Sequence, residues 1–255
     1  MTTISCLWIQ QELDDISIRC IKSWIALGYH VDLYTYSREF MNNISIEKLH
    51  IKNANNILEL DDKNYRKEFI ADLFRFSLFN KNKEETKERI IWMDTDVLLL
   101  KKIPDDFNYV SSQYTQQTGA FKCKNKIVAN IGVMCFDGLE DIDWAAIINC
   151  KGKNKAYQSK YIKAYEKVLK SKPDLMLEPN AFCPVNWAWT TALFTERYFK
   201  TQCKYGIIQS QLEDILGDDL VYGVHLWRQI YKKKKLVIKS DSVYSQILNH
   251  LEPKN

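Results

Sequence analysis

Glycine and proline are scarce in this chain, at 8 and 5 of 255 residues. That composition excludes collagen-like and Pro/Gly-rich disordered chains, and no internal repeat or linker-like stretch interrupts the sequence. No run approaches the roughly 20 apolar residues that a membrane-crossing helix needs. The opening Met1-Thr2-Thr3-Ile4 lacks a basic segment followed by a long apolar one, so no signal peptide is expected. The 7 cysteines are odd in number, and none form a Cys-x-x-Cys pair. This spacing argues against a disulfide framework or a zinc site, and for reduced thiols in a soluble or peripheral cytoplasmic protein. A net charge of +4 is too mild to argue for nucleic acid.

The balance of 46% hydrophobic and 27% charged residues is that of a globular protein able to bury a core without staples. The 7 Trp, 14 Tyr and 11 Phe read first as core rings, and second as stacking platforms for sugars or bases. The first fifty residues spell a βαβ unit. Ile4 to Ile9 reads as a buried strand, Asp14 or Asp15 can cap the next helix, and Ile18, Ile21, Trp24 and Ile25 recur at helical spacing. Gly28 sits where a helix-ending glycine belongs, and His30 to Tyr36 reads as the second strand. Residues 37–63 carry no clear period. The pattern then predicts a helix over 65–80, a charged connector over 81–89, and strands at Arg89–Trp92, Val97–Leu100, Val128–Phe136 and Tyr222–Leu226. Helices are expected at Trp144–Cys150, Lys155–Lys170 and Trp187–Phe199. The fold expected is a single α/β domain over 1–255 with a mixed sheet and added helices. Its nucleotide-binding half covers 1–100 and its acceptor-side half 101–255.

The chemistry concentrates in Ile90-Ile91-Trp92-Met93-Asp94-Thr95-Asp96-Val97-Leu98-Leu99-Leu100, where two carboxylates interrupt an apolar stretch. A buried charge is costly unless paired or bound to metal. In open α/β sheets, ligands collect beyond the carboxyl ends of strands. On a flat strand Asp94 and Asp96 would stand about 6.6 Å apart, too far to grip one ion together, so a turn at Thr95 is needed. Such a pair suits Mn²⁺ or Mg²⁺ on diphosphate oxygens. A bare Asp-x-Asp that merely caps a turn is the plain alternative.

Upstream, Asp72 and Arg75 share one face of the apolar helix. They read either as an internal ion pair or as contacts to a donor sugar and its phosphate. His225, in Val224-His225-Leu226-Trp227, reads as a core histidine or as a nitrogen ligand to the same metal. Asn130, in Asn130-Ile131-Gly132, is a further candidate for cofactor binding. Asn186, Trp187 and Trp189 could receive an acceptor sugar. The run Lys232-Lys233-Lys234-Lys235 reads as a solvated face or strand end, with anionic headgroups as the alternative partner.

These motifs, in this order, resemble the retaining GT-A glycosyltransferases, whose nucleotide-sugar-binding fold is Rossmann-like. The likeness spans about residues 4–230 and is closest to glycosyltransferase family 32, whose opening is similar to LWIQ and CIKSWIALGYHVDLYTY here. Many members of that family carry Gly-Gly ahead of the Asp-x-Asp strand. This chain has Lys87-Glu88-Arg89-Ile90, more like family 8. The resemblance implies that Asp72 and Arg75 contact the donor, that Asp94 and Asp96 bind metal, and that His225 stands beside it. It also implies that Trp8 lies beside the nucleotide base. The activity implied is transfer of a sugar, from a UDP-sugar in the first instance, to a glycan or lipid-linked glycan in bacterial capsule or lipopolysaccharide synthesis. Two rivals stand beside it: a sugar nucleotidyltransferase, and a catalytically silent carbohydrate-binding protein. The first is disfavoured because Gln10-Gln11-Glu12-Leu13-Asp14 lacks the glycines of a phosphate loop.

Overall fold

The computed structural model describes residues 2–37, 39, 46–60, 66–104, 106–114, 127–149, 156–203 and 206–251. Strand β1 (Thr3–Trp8), helix α1 (Asp15–Ala26) and strand β2 (His30–Thr35) form the expected βαβ unit, and the two strands pair in parallel. Asp14 caps α1, its carboxylate accepting from the Ser17 N–H at 2.9 Å. Gly28 adopts φ 91° just past the end of the helix, a conformation that favours glycine.

Next come β3 (Leu49–Asn53), α2 (Lys67–Glu85), β4 (Ile90–Met93), β5 (Val97–Leu99), β6 (Tyr109–Tyr114) and β7 (Ile127–Phe136). The six-stranded sheet runs β3-β2-β1-β4-β7-β6. It is mixed: β3, β2, β1 and β4 are parallel, and β7 runs antiparallel to both β4 and β6. Alternation along each strand builds two core layers. Ile91 and Met93 of β4 face one layer with Trp24 and Ile21 of α1, whereas Trp92 faces the other with Phe74, Phe76 and Phe79 of α2. Helices α3 (Trp144–Ile148) and α4 (Ala156–Ser171) lie on the α2 side, where Trp144 stacks on Phe79 at 5.2 Å between centroids. The rings of this layer are therefore core, as composition suggested.

The remaining described elements are α5 (Thr190–Thr195), β8 (Phe199–Cys203), β9 (Gly206–Ser210), α6 (Leu212–Gly217), β10 (Gly223–His225), α7 (Arg228–Lys234) and α8 (Val243–Leu251). Several expectations change. The charged segment after residue 80 continues α2 to Glu85, supported by Asn80–Glu84 and Lys81–Glu85 pairs one turn apart. The single helix expected over Trp187–Phe199 is a 3₁₀ turn, the short α5, and the start of β8. No apolar stripe continues past Phe194, and Glu196 turns extended where its carbonyl accepts from Val243 N–H at 2.9 Å. Lys232–Lys234 close a helix and not a strand. None of the helices among the described residues is long and apolar enough to cross a membrane.

Candidate active site

Strand β4 delivers Asp94 and Asp96 to the carboxyl end of the parallel strands. Asp94-Thr95-Asp96 is a tight turn, closed by the Val97 N–H donating to Asp94 O at 3.1 Å. Two neighbours hold it from outside: Asp94 N–H donates to Gly132 O of β7 at 2.8 Å, and Leu226 N–H donates to Asp96 O at 2.8 Å. Strand β5 then leaves the main sheet and pairs antiparallel with β10, placing Val97 opposite His225. Helix α1 fixes β5 from behind, since Trp24 Nε1 donates to Val97 O at 2.8 Å and Leu99 N–H donates to Ser23 Oγ at 3.0 Å.

The turn brings together what sequence spacing alone kept apart. One ligand atom each from Asp94, Asp96 and His225 lie within 4.8 Å of one another. Two carboxylates and one imidazole this close together fit a hard divalent cation such as Mn²⁺ or Mg²⁺. His225 Nε2 stands 3.3 Å from Asp96 Oδ1. Burial disfavours the charged imidazole, but the Asp96 carboxylate outweighs it and raises the pKa of His225. Burial likewise works against Asp96, yet the charge and hydrogen bond of His225 hold its carboxyl below the usual range. Asp94 shifts the other way: burial pushes it up, Arg75 opposes, and the neighbouring Asp96 charge adds to the rise.

The His225 ring is boxed in. Trp227 stacks on one face at 3.9 Å and 12°. Gly132 lies so close that a Cβ there would fall 3.0 Å from His225 Cε1. Asn130 sits behind the ring, its Oδ1 accepting from Gly132 N–H at 2.8 Å and its Nδ2 lying 3.4 Å from His225 Nδ1 and 3.3 Å from Cys183 Sγ. Asn130 therefore supports the histidine rather than lining the cleft. Trp227 has φ 52°, a left-handed conformation that is costly for a bulky residue. Its indole N–H donates to Val185 O at 3.0 Å.

Asp72 and Arg75 of α2 reach the same place. Arg75 is 4% exposed and its guanidinium touches Asp72 Oδ1 at 3.2 Å and Asp94 Oδ1 at 3.3 Å. It also donates to Ile131 O and lies over the Trp92 ring at 5.0 Å, while Trp92 Nε1 donates to Asp94 Oδ1 at 3.0 Å. Arg75 thus ties helix α2 to the Asp-x-Asp turn. Trp8 lines the cleft at the end of β1, but its indole is 2% exposed and covered by Arg228, whose guanidinium lies 4.5 Å from the ring centroid.

Sequence reasoning passed over Arg228, although it directly follows the His-Leu-Trp motif. Its backbone N–H donates to Asp96 Oδ2 at 2.9 Å and its guanidinium pairs with Asp14 at 2.7 Å. Cys183, behind His225, was not singled out either, because no spacing in the sequence marks it. Of the residues considered for an acceptor, Asn186 is internal: it donates to Tyr114 O at 2.6 Å and accepts from Ala188 N–H at 3.1 Å. Trp187 is 45% exposed, and Trp189 lies beneath Lys200.

Trp8, Asp72, Arg75, Asp94, Asp96 and Arg228 border a cleft of about 240 Å³, lined also by Gln10, Lys67 and Gln229. A larger hollow of about 470 Å³ lies by the starts of β1 and β4, against Thr3, Ser5 and Ile90, and holds none of the candidate residues. The smaller cleft is the candidate site, since Asp72, Asp94, Asp96, Arg75 and Arg228 converge on it and the His225 imidazole stands 3.3 Å from Asp96.

Residues 159–253 match the family model described as the alpha 1,4-glycosyltransferase conserved region. A search of curated proteins returns no match. Among solved structures, the chain is similar to a glycosyltransferase involved in glycosylation of the major capsid of PBCV-1, at 12% identity and a TM-score of 0.42, covering 92% of this chain and 100% of that one. It is similar to mouse xyloside xylosyltransferase 1 at 11% identity and 0.45, covering 84% and 99%. It is also similar to the galactosyltransferase LgtC at 12% and 0.40, covering 77% and 80%. Likenesses of this degree assign neither donor nor acceptor. The family match over residues 159–253 is to a glycosyltransferase region, the class that the motifs led us to expect.

Proposed function

We propose that the protein is a metal-dependent, retaining glycosyltransferase that moves a sugar from a nucleotide-sugar donor, a UDP-sugar in the first instance, to a glycan acceptor. We assign it to bacterial capsule or lipopolysaccharide synthesis and to the cytoplasm. The observation that carries this reading is the convergence of Asp94, Asp96 and His225 within 4.8 Å beside a cleft lined by both aspartates, Asp72 and Arg75. The family match over residues 159–253 supports glycosyl transfer as the class. The buried free thiols Cys6, Cys20, Cys135 and Cys183 support a reducing compartment.

In this reading Asp94, Asp96 and His225 hold Mn²⁺ or Mg²⁺. The bound cation supplies charge neutralisation to the leaving diphosphate. Asp72 orients the donor sugar through its hydroxyls, and Arg75 keeps Asp72 and Asp94 in register by touching both. Asn130, Gly132 and Trp227 hold the imidazole plane, so that its Nε2 faces the carboxylates. The nucleotide docks against the carboxyl end of β1 near Trp8. The acceptor hydroxyl attacks from the face that the leaving group vacates and passes its proton to the departing phosphate oxygen.

The test is a thermal-shift panel of UDP-, GDP-, CMP- and dTDP-sugars, with Mn²⁺ or with EDTA. A ligand at about 100 times its Kd stabilises by about 2.7 kcal/mol. One nucleotide class should stabilise only with Mn²⁺. Asp96→Asn, which keeps an acceptor for the Arg228 N–H, should lose that shift and the transfer activity. Equal stabilisation in EDTA, or normal turnover by Asp96→Asn, would overturn the metal assignment. Metal-dependent binding without transfer or slow hydrolysis would favour a silent sugar-nucleotide-binding protein.

A further inference from the structure

The end of α7 and the segment after it form a face that the proposed chemistry does not use. Lys232, Lys233 and Lys234 make up the last turn of α7, where cations are favoured by the helix dipole. Lys235 stops the helix in a left-handed conformation at φ 49°. Leu236 then packs against the core, while Val237 and Ile238 turn outward, 79% and 37% exposed. Lys239 follows, also exposed. This stretch is pinned along the end of α5, with Lys239 N–H donating to Phe194 O at 3.0 Å and Val243 N–H to Glu196 O at 2.9 Å. Tyr198, two residues beyond Glu196, is 38% exposed.

Lys232 is engaged by Asp14, and Lys234 by the Thr191 hydroxyl. Lys233, Lys235 and Lys239 are exposed, and Glu196 at the end of the α5 segment is taken up by Lys200. Two uncovered aliphatic side chains flanked along the chain by the exposed Lys233, Lys235 and Lys239 match an anionic bilayer surface. Headgroup phosphates meet the ammonium groups while the aliphatics enter the acyl boundary. A nucleic-acid backbone would leave Val237 and Ile238 without a partner. We propose that this face docks the protein on an anionic lipid surface. The first turn of α7, Arg228 and Gln229, lines the cleft, so docking would set the cleft mouth close to the headgroups. If the glycosyltransferase reading holds, as this last step requires, the acceptor is presented from the membrane.

The experiment is sedimentation of the full chain with phosphatidylcholine vesicles and with phosphatidylcholine vesicles containing phosphatidylglycerol, at low and high salt. The expected result is binding to the phosphatidylglycerol vesicles that weakens with salt, and about tenfold weaker binding by each of Lys233→Glu/Lys235→Glu and Val237→Asp/Ile238→Asp. Both variants should keep the wild-type melting temperature and the wild-type metal-dependent shift with nucleotide-sugar, because none of these residues lines the cleft. A failure of docking is therefore distinct from a failure of the catalytic reading. Docking is overturned by equal binding to vesicles without phosphatidylglycerol, by unchanged binding of either variant, by tighter binding to duplex DNA or RNA, or by a dimer that Val237→Asp/Ile238→Asp dissolves.

Discussion

A methyl group on Gly132 would fall 2.8 Å from Asn130 Oδ1 and 3.0 Å from His225 Cε1. Neither neighbour can yield freely, because Asn130 is bonded to the Gly132 N–H and His225 is stacked on Trp227. Gly132→Ala should therefore cost about 1–3 kcal/mol by overpacking, and should weaken Mn²⁺ binding about tenfold by displacing the imidazole. Isothermal titration with Mn²⁺, paired with a melting curve, separates the two effects. Asp14 gives the second test at this scale. Burial raises its pKa, but Lys232, Arg228 and the Ser17 N–H outweigh burial and lower it to about 2. A depressed carboxyl stabilises the fold above its unfolded pKa of about 3.9, and the contribution disappears as pH falls through about 2. Asp14→Asn keeps the helix cap, since Asn caps as well as Asp. Asp14 is partly exposed and solvent screens its ion pairs, so the loss at pH 7 should be about 1 kcal/mol. Melting temperatures of variant and wild type should converge between about pH 4 and 2.

Helix α2 links the core to the site. Its Phe74, Phe76 and Phe79 fill one layer, while Asp72 and Arg75 reach the cleft from the same helix. Phe79 is 1% exposed and meets Phe136 at 5.3 Å and Trp144 at 5.2 Å. Phe79→Ala should cost about 3–5 kcal/mol, read as a lowered urea midpoint with unchanged slope. The period-free stretch of residues 37–63 concealed β3. It is an edge strand with the burial pattern of half-buried and exposed residues in alternation, so it lacks the apolar run that marked β1 and β4. Strand β6 was missed for a related reason: Tyr-Val-Ser-Ser-Gln-Tyr buries Ser111 and Ser112 through hydrogen bonds to Asn130 O and Leu177 O, and hydroxyls do not announce burial.

Across the whole molecule, Arg228 joins the late part of the chain to the first βα unit. It lies on Trp8, pairs with Asp14 and donates from its backbone to Asp96. Arg228→Met should keep the stem packed on Trp8 and lose the ion pair and cation–π contact, at about 1–2 kcal/mol. Because Arg228 and Asp14 touch, the double variant with Asp14→Asn should destabilise less than the sum of the two singles. Chemical denaturation of the four proteins of that cycle measures the difference, and strict additivity would show that the pair contributes nothing.

The βαβ opening, the mixed sheet and the carboxylate pair were legible in the sequence by itself. Period-2 and period-3.6 patterns survive in any strand or helix with a buried face, and two charges in an apolar run are conspicuous whatever surrounds them. Folding decided the rest. That Asp94 and Asp96 converge depends on the Thr95 turn and on β7 and Leu226 holding it. That His225 faces them depends on β10 pairing with β5 across more than a hundred residues. The meeting of Asn130 and Gly132 of β7, Cys183, and Trp227 around one imidazole is written in no single local spacing, because it draws on three segments brought together only by the sheet and the loops packed on it.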